Sequence, residues 1–175
     1  PKVVEHIPQG RKNENRLGLK WEDATGIIPV HIYGNPCDFD SVKSFADEQN
    51  IPIIEDAAHA VGASYKGQMI GSISDFTMFS FQAIKHITTG EGGMLVTDDE
   101  DIYKRCRSLR NLAFNDEQRF IHYEMGWNAR MTNLQAALGL AQLSRFKDFL
   151  VRKRHIGSLY HSLLKDEDLI DLPIL

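Results

Sequence analysis

A strand, a helix and a second strand follow one another within about thirty residues, and that spacing constrains the fold more than any other feature of the chain. Ile27-Ile28-Pro29-Val30-His31-Ile32-Tyr33 is a β-rich run halted by Gly34-Asn35-Pro36, residues that end a strand in a turn. Asp38 or Asp40 can cap a helix reaching about Gln49, with Val42, Phe45 and Ala46 as its buried stripe. Ile51-Pro52-Ile53-Ile54 follows at once as a second apolar run and ends in Glu55-Asp56. Two strands separated by a crossover helix run in the same direction, so the pattern predicts a parallel sheet.

Two more runs extend the sheet, Phe76-Thr77-Met78-Phe79-Ser80-Phe81 and Gly93-Met94-Leu95-Val96-Thr97. Asp98 or Asp99 can then cap a helix through about Leu112. From Thr132 onward, Leu134, Ala137, Leu138, Ala141, Leu143 and Phe146 recur near helical spacing, with the charged run Arg152-Lys153-Arg154 and then Leu159, Leu163 and Leu164 beyond. One or two long helices fit there, with a break allowed near Gly157. Residues 1–26 are rich in Lys, Arg, Asn and Gly without an apolar period and read as loop. The chain therefore divides into residues 1–26, an α/β part at 27–131 and a helical part at 132–175. Asp171-Leu172-Pro173-Ile174-Leu175 reads as the beginning of another strand. At 175 residues the chain is also short for an enzyme that must enclose a cofactor and a large substrate, so a piece of a longer enzyme is expected.

The net charge of −4, with Lys and Arg scattered, offers no basic stripe for a nucleic-acid backbone. No apolar run approaches the roughly 18 residues of a membrane span, and the first residues lack a signal layout, so a cytoplasmic protein is expected. Cys37 and Cys106 lie far apart without ligand spacing and read as reduced packing thiols; no metal site is expected.

Ligands of open parallel sheets sit beyond the carboxyl ends of the strands, which directs attention to Asp56, Ser80 and Lys85. Asp56 lies in Glu55-Asp56-Ala57-Ala58-His59-Ala60, where small neighbours admit a bulky group; its carboxylate could hold a cation or a protonated ring nitrogen, or simply cap the next helix. Lys85 follows a strand among Ala83, Ile84 and Ile87, and an amine drawn into apolar surroundings has its pKa lowered toward a usable nucleophile. Gly90-Glu91-Gly92-Gly93 could reverse the chain or turn backbone amides toward a phosphate. Glu91 could brace that turn, and His86 could line a pocket.

Asp56, His59, Ser80, Lys85 and Thr88-Thr89-Gly90-Glu91-Gly92-Gly93, followed by Gly126-Trp127-Asn128-Ala129-Arg130-Met131-Thr132-Asn133-Leu134-Gln135-Ala136-Ala137, occur in an order that resembles the DegT/DnrJ/EryC1/StrS family. These are fold-type I, PLP-dependent aminotransferases of nucleotide-linked keto-sugars. The likeness runs from about Ile27 to about Leu164 and is greatest to perosamine-synthase-like members. It implies an α/β fold, part of the large domain of the aspartate aminotransferase-like architecture, with a mostly parallel sheet flanked by helices. The long helices would lead to a small domain absent from this chain.

The same resemblance implies pyridoxal 5′-phosphate as cofactor and a role for each matching residue. Lys85 would carry the cofactor covalently and move a proton. Asp56 would pair with the pyridinium nitrogen, Ser80 would bind the phosphate, and His59 would lie beside the ring. Asn128 would reach the cofactor phosphate of a partner subunit, which implies a homodimer with shared sites. The substrates implied are a nucleotide sugar, aminated at C4 of a 4-keto-6-deoxy sugar, and an amino-acid donor such as glutamate, in surface polysaccharide or deoxyamino-sugar biosynthesis. A branch of 3-dehydratases has His at the lysine position, so Lys85 favours transamination. The Gly-Thr/Ser-Ala-type phosphate loop usual in the family is not found here, which leaves as an alternative a truncated or degenerate member that binds PLP, sugar nucleotide or a partner chain without turnover. A doubly wound nucleotide-binding domain using Gly90–Gly93 would be another reading, but GxGxxG and the Walker lysine pattern are missing.

Overall fold

The computed structural model describes residues 24–114, 118 and 120–172, so most of the stretch expected to be loop and part of the expected final strand lie outside the described residues. The expected βαβ unit is present, but its first strand is interrupted. Ile27 N–H donates to the Pro52 carbonyl (3.0 Å), Ile54 N–H to Ile27 (2.9 Å), Asp56 N–H to Pro29 (2.9 Å) and His31 N–H to Asp56 (3.1 Å). Pro29 has no N–H, so the bond that would join these pairs is missing. The ladder is reduced to isolated parallel bridges, Ile27 with Ile53 and Val30 with Asp56. The run also stops earlier than predicted, because Ile32–Gly34 forms a 3-10 turn with Tyr33 at a φ of 55°.

Beyond this segment lie β1 (Ile54–Asp56), β4 (Phe76–Ser80) and β5 (Gly93–Val96) in the order β1-β4-β5. The β1–β4 pair is parallel, and β5 returns antiparallel along β4. The sheet is thus mostly parallel, as expected, with one antiparallel pairing added because the Gly90–Gly93 turn brings the chain straight back. Between β1 and β4 sits a hairpin that the sequence reading missed, β2 (Ser64–Tyr65) with β3 (Gln68–Met69). Its two-residue turn has positive φ at Lys66 (48°) and Gly67 (85°), the backbone twist that tight hairpins favour.

Helix α1 (Phe39–Gln49) packs against Ile53, the residue just before β1. Phe39, Ala46 and Ile53 form its core with Val42 packed against them, so Phe39 takes the central place that was expected of half-buried Phe45. A second cluster, Ala57, Ala60 and Ile70, lies under the hairpin. Helix α2 (Glu100–Arg110) is capped by Asp99, whose carboxylate accepts from the N–H groups of Asp101 (2.8 Å) and Ile102 (2.9 Å). It ends before Leu112 because Leu112 and Ala113 adopt φ of 64° and 51°. A Cβ on Gly126 would lie 2.3 Å from the Ala113 nitrogen, so only glycine lets the two segments meet.

Helix α3 (Asn133–Leu143) opens with a reciprocal cap between Thr132 and Gln135, and α4 (Phe146–Leu164) follows. The break falls at Ser144-Arg145 rather than near Gly157, which sits within α4 with open space around it. Cys37 and Cys106 are both unpaired and half-buried, Cys37 against the Phe39 cluster. Among the described residues no helix is long and apolar enough to cross a membrane.

Candidate active site

The carboxyl ends of three successive parallel segments converge. Tyr33 follows the first segment, His59 follows β1 and Lys85 follows β4, and all three line one cleft of about 250 Å³ with Ala58, Val61, Ile84, His86 and Lys153. A larger cleft of about 590 Å³ shares Lys85, His86 and Lys153 and extends along α4 past Arg145, Phe149 and Arg152. Sequence reasoning thus located Lys85 and His59 in common surroundings.

Lys85 is half-buried, and its amine forms no ion pair among the described residues. The apolar neighbours expected to enclose it do so only in part: Ile87 is buried, whereas Ala83 and Ile84 face solvent, Ile84 with 84% exposure. Cations gather instead. Burial lowers the pKa of His86, and the nearby charges of Lys153, His59 and Lys85 lower it further. Lys153 had been read only as part of a charged run. That run gives no sequence signal that α4 folds back over the strand ends, and Tyr33 was missed because it reads as part of the first strand whereas it sits in a left-handed turn beyond it.

Ring stacking and a hydrogen bond hold His59. Its ring lies 6.2 Å from that of Tyr33 at an interplanar angle of 26°, and Nδ1 accepts the Tyr33 N–H at 3.3 Å. With Nδ1 an acceptor, the ring proton sits on Nε2, which becomes a donor. Asp56 ends β1, where one carboxylate oxygen accepts the Ala58 N–H at 3.0 Å. No helix follows Asp56, so the helix-capping role weighed for it is absent; its carboxylate instead braces the turn after β1, and that engages a single oxygen. Ser80 ends β4, and its Oγ accepts the Gln82 N–H at 3.3 Å, leaving its own proton to donate. Neither Asp56 nor Ser80 lines the two clefts; they stand at the ends of adjacent paired strands.

Asn128 lies apart. It bridges antiparallel to Asn111 at the end of α2, and its Oδ1 accepts from Arg130 Nε at 3.0 Å. Glu91 braces the turn through its backbone: its carbonyl accepts from Thr89 Oγ1 (2.8 Å) and Gln135 Nε2 (2.9 Å).

On the opposite face of β1 from Asp56 lies a buried polar group that sequence reasoning did not single out. Glu55, fully buried, accepts from Thr77 Oγ1 (2.8 Å) and Ser74 Oγ (3.0 Å) and pairs with buried His31 Nε2 at 2.7 Å. Burial lowers the His31 pKa, but the Cys37 side chain and the Glu55 carboxylate outweigh it and push it up to about 9. Burial raises that of Glu55, and the hydrogen bonds from His31, Thr77 and Ser74 bring it below the usual value. One contact opposes the charged imidazole: the Cys37 backbone N–H points at Nδ1 from 3.2 Å.

These groups suit a flat, anionic, carbonyl-bearing cofactor. They comprise an unpaired amine, a carboxylate oxygen that accepts nothing among the described residues, a hydroxyl proton and an imidazole N–H, all at strand ends. No group of three or more His, Cys, Asp or Glu among the described residues could hold a metal ion.

The family model for the DegT/DnrJ/EryC1/StrS aminotransferase family matches residues 21–173. The chain is 45% identical over 134 residues to the GDP-perosamine synthase of Escherichia coli O157:H7, covering 77% of this chain but 37% of that protein. A Streptococcus pneumoniae protein assigned as a sugar aminotransferase, solved in its PLP form, superposes with a TM-score of 0.78 at 33% identity, over 86% of this chain and 43% of that one. DesI, solved with its TDP-sugar product, gives 0.76 at 36% identity, over 83% and 36%. The described fold is accordingly part of the large domain of the fold-type I PLP architecture.

Proposed function

We propose, for a chain that belongs to the DegT/DnrJ/EryC1/StrS aminotransferase family, that the whole protein transfers an amino group from an amino acid, glutamate, to a nucleotide-linked keto-sugar. The preferred acceptor is C4 of a 4-keto-6-deoxy sugar, in cytoplasmic synthesis of surface polysaccharide or deoxyamino sugars; the likeness to GDP-perosamine synthase supports this choice. The convergence of Lys85 and His59 on one cleft beyond the strand ends, with Asp56 at the end of the neighbouring strand, carries the reading.

Pyridoxal phosphate, the cofactor of this family, supplies an aldehyde for linkage to an amine and a ring that accepts electrons from a carbon losing its proton. Lys85 Nζ would be the amine that holds this aldehyde and the base that would move a proton at the substrate carbon. Asp56, with its unoccupied oxygen, would keep a proton on the pyridine nitrogen, the Ser80 hydroxyl would bind the phosphate, and His59 would lie beside the ring. Asn128, which lines neither cleft of its own chain, would serve the phosphate of the partner subunit, so that two copies would complete each other's sites. In this scheme residues 27–131 are the centre of the cofactor domain and the helices beyond lead toward a small domain.

Incubation of the full-length protein with PLP and borohydride, followed by peptide mapping, tests the assignment. The label is expected on Lys85 and should vanish, with transfer activity, in Lys85→Ala. Full activity in that variant would refute the assignment.

A further inference from the structure

We propose that one face of α3, made of Gln135, Gly139 and Gln142, is a positioning surface that sets where Lys85 stands; the inference rests on Lys85 being the cofactor-bearing residue. The segment carrying Lys85 leaves β4 and closes on itself. The Phe81 carbonyl accepts from both Thr89 N–H (2.9 Å) and Thr88 Oγ1 (3.1 Å), and Phe81 N–H donates to Gly92 (2.8 Å). A turn from Lys85 N–H to the Gln82 carbonyl (2.9 Å) folds the loop inside that closure. Its entry is fixed to the sheet through β4. Its exit is held by α3.

Three residues at i, i+4 and i+7 share one side of a helix. Here all three meet the exit of the Lys85 loop. Gln142 Oε1 accepts the Thr88 N–H at 3.0 Å. Gln135 Nε2 donates to the Glu91 carbonyl at 2.9 Å, while its Oε1 accepts from Thr132 N–H and Thr132 Oγ1, both at 2.9 Å. A Cβ at Gly139 would stand 3.0 Å from Thr89 Cγ2, so α3 approaches the loop as closely as a glycine allows. Gln142 also lines the larger cleft together with Lys85. The family's two sequence motifs, the glycine turn and the Gly126–Ala137 segment, are thereby joined physically, and the junction lies just past the anchor lysine. Gln135 and Gln142 are positioning residues: they act on the reacting amine through the backbone at Thr88–Glu91.

The test uses the full-length protein with Gln142→Met, which keeps length and loses the acceptor, and Gln142→Glu, which restores it. Hydrogen exchange of the Thr88 peptide in the cofactor-free protein should rise about tenfold in Gln142→Met, the effect of losing one modest hydrogen bond. It should return toward the wild-type value in Gln142→Glu. The PLP concentration needed for half-labelling of Lys85 under borohydride should rise with it in Gln142→Met, with the thermal midpoint little changed. Gly139→Ala adds helix propensity and so keeps the fold; it should press on Thr89 and weaken labelling without loosening α3. Unchanged exchange in Gln142→Met, or unchanged labelling in both Gln142→Met and Gly139→Ala, would overturn the proposal. If wild-type Lys85 takes no label, the reading of Lys85 as cofactor anchor fails instead, and the exchange arm alone decides whether α3 clamps the loop.

Discussion

Replacing Glu55 by Gln should remove part of the alkaline pH dependence of stability, the share of the raised His31 pKa that does not come from the Cys37 side chain, while leaving the fold in place. His31 and Glu55 are both fully buried, and the imidazole pKa stands at about 9 in the folded protein against 6.5 for the free side chain. A gap of that size is linked to about 3 kcal/mol. The raised pKa contributes in full below about 6.5, where both folded and unfolded chains carry the proton; it fades as pH climbs and is gone above about 9. Glu55 acts in the other direction: its lowered pKa contributes above the ordinary 4.5 and is lost as pH falls through the folded value. The Cys37 N–H at Nδ1 favours a neutral ring, so about 3 kcal/mol is a ceiling for the His31 contribution. Gln at position 55 keeps an oxygen for His31 Nε2 and partners for Thr77 and Ser74, which can rotate their hydroxyls, but it gives up the charge. Urea unfolding of wild type and Glu55→Gln at about pH 6 and about pH 10, on either side of the His31 window, measures the difference directly. Equal losses in the two proteins would show that the pair is not ionised.

Two further substitutions probe separate parts of the molecule. Asp56→Asn should keep the turn, because the amide oxygen can still accept the Ala58 N–H, yet it should weaken PLP binding and cut transfer on the order of a hundredfold, as removal of an electrostatic partner does; PLP titration and steady-state rates of the full-length protein check this, and unaltered rates would remove Asp56 from the site. Gly126→Ala should destabilise by about 1–3 kcal/mol, since the new methyl would meet Ala113 N at 2.3 Å and Leu112 C at 2.5 Å, both backbone atoms that cannot swing aside; a thermal midpoint equal to that of wild type would contradict the close approach.

The parts of this molecule legible in its sequence are those decided locally. Alternation and turn residues marked Phe76–Ser80 and Gly93–Val96, and Asp99 and Thr132 stood where helices begin. Pro29 was visible too, but its effect depended on which residue it faced: only the parallel register with β1 turns a missing N–H into a broken ladder. Gly157 was overestimated as a breaker because a glycine costs a helix about 1 kcal/mol, which a long helix such as Phe146–Leu164 can absorb. The hairpin at Ser64–Met69 went unread because two-residue strands show no alternation, and Lys66-Gly67 is a weaker turn signal than Asn-Gly.

The candidate site divides in the same way, and the division explains how it is built. Asp56, Ser80 and Lys85 lie at or just past strand ends, so knowing the strands was enough to single them out, whereas His59 was named only through the family resemblance. Tyr33, Lys153, Gln135 and Gln142 arrive from elsewhere in the chain, by a left-handed turn, a helix that folds back and a helix face that meets a loop. Under the proposed function the first group supplies the functional groups of the chemistry, and the second decides where those groups stand. A lysine on a loop closed only upon itself would have the right amine in an ill-defined place, and it is the face of α3 against Thr88–Glu91 that removes this freedom.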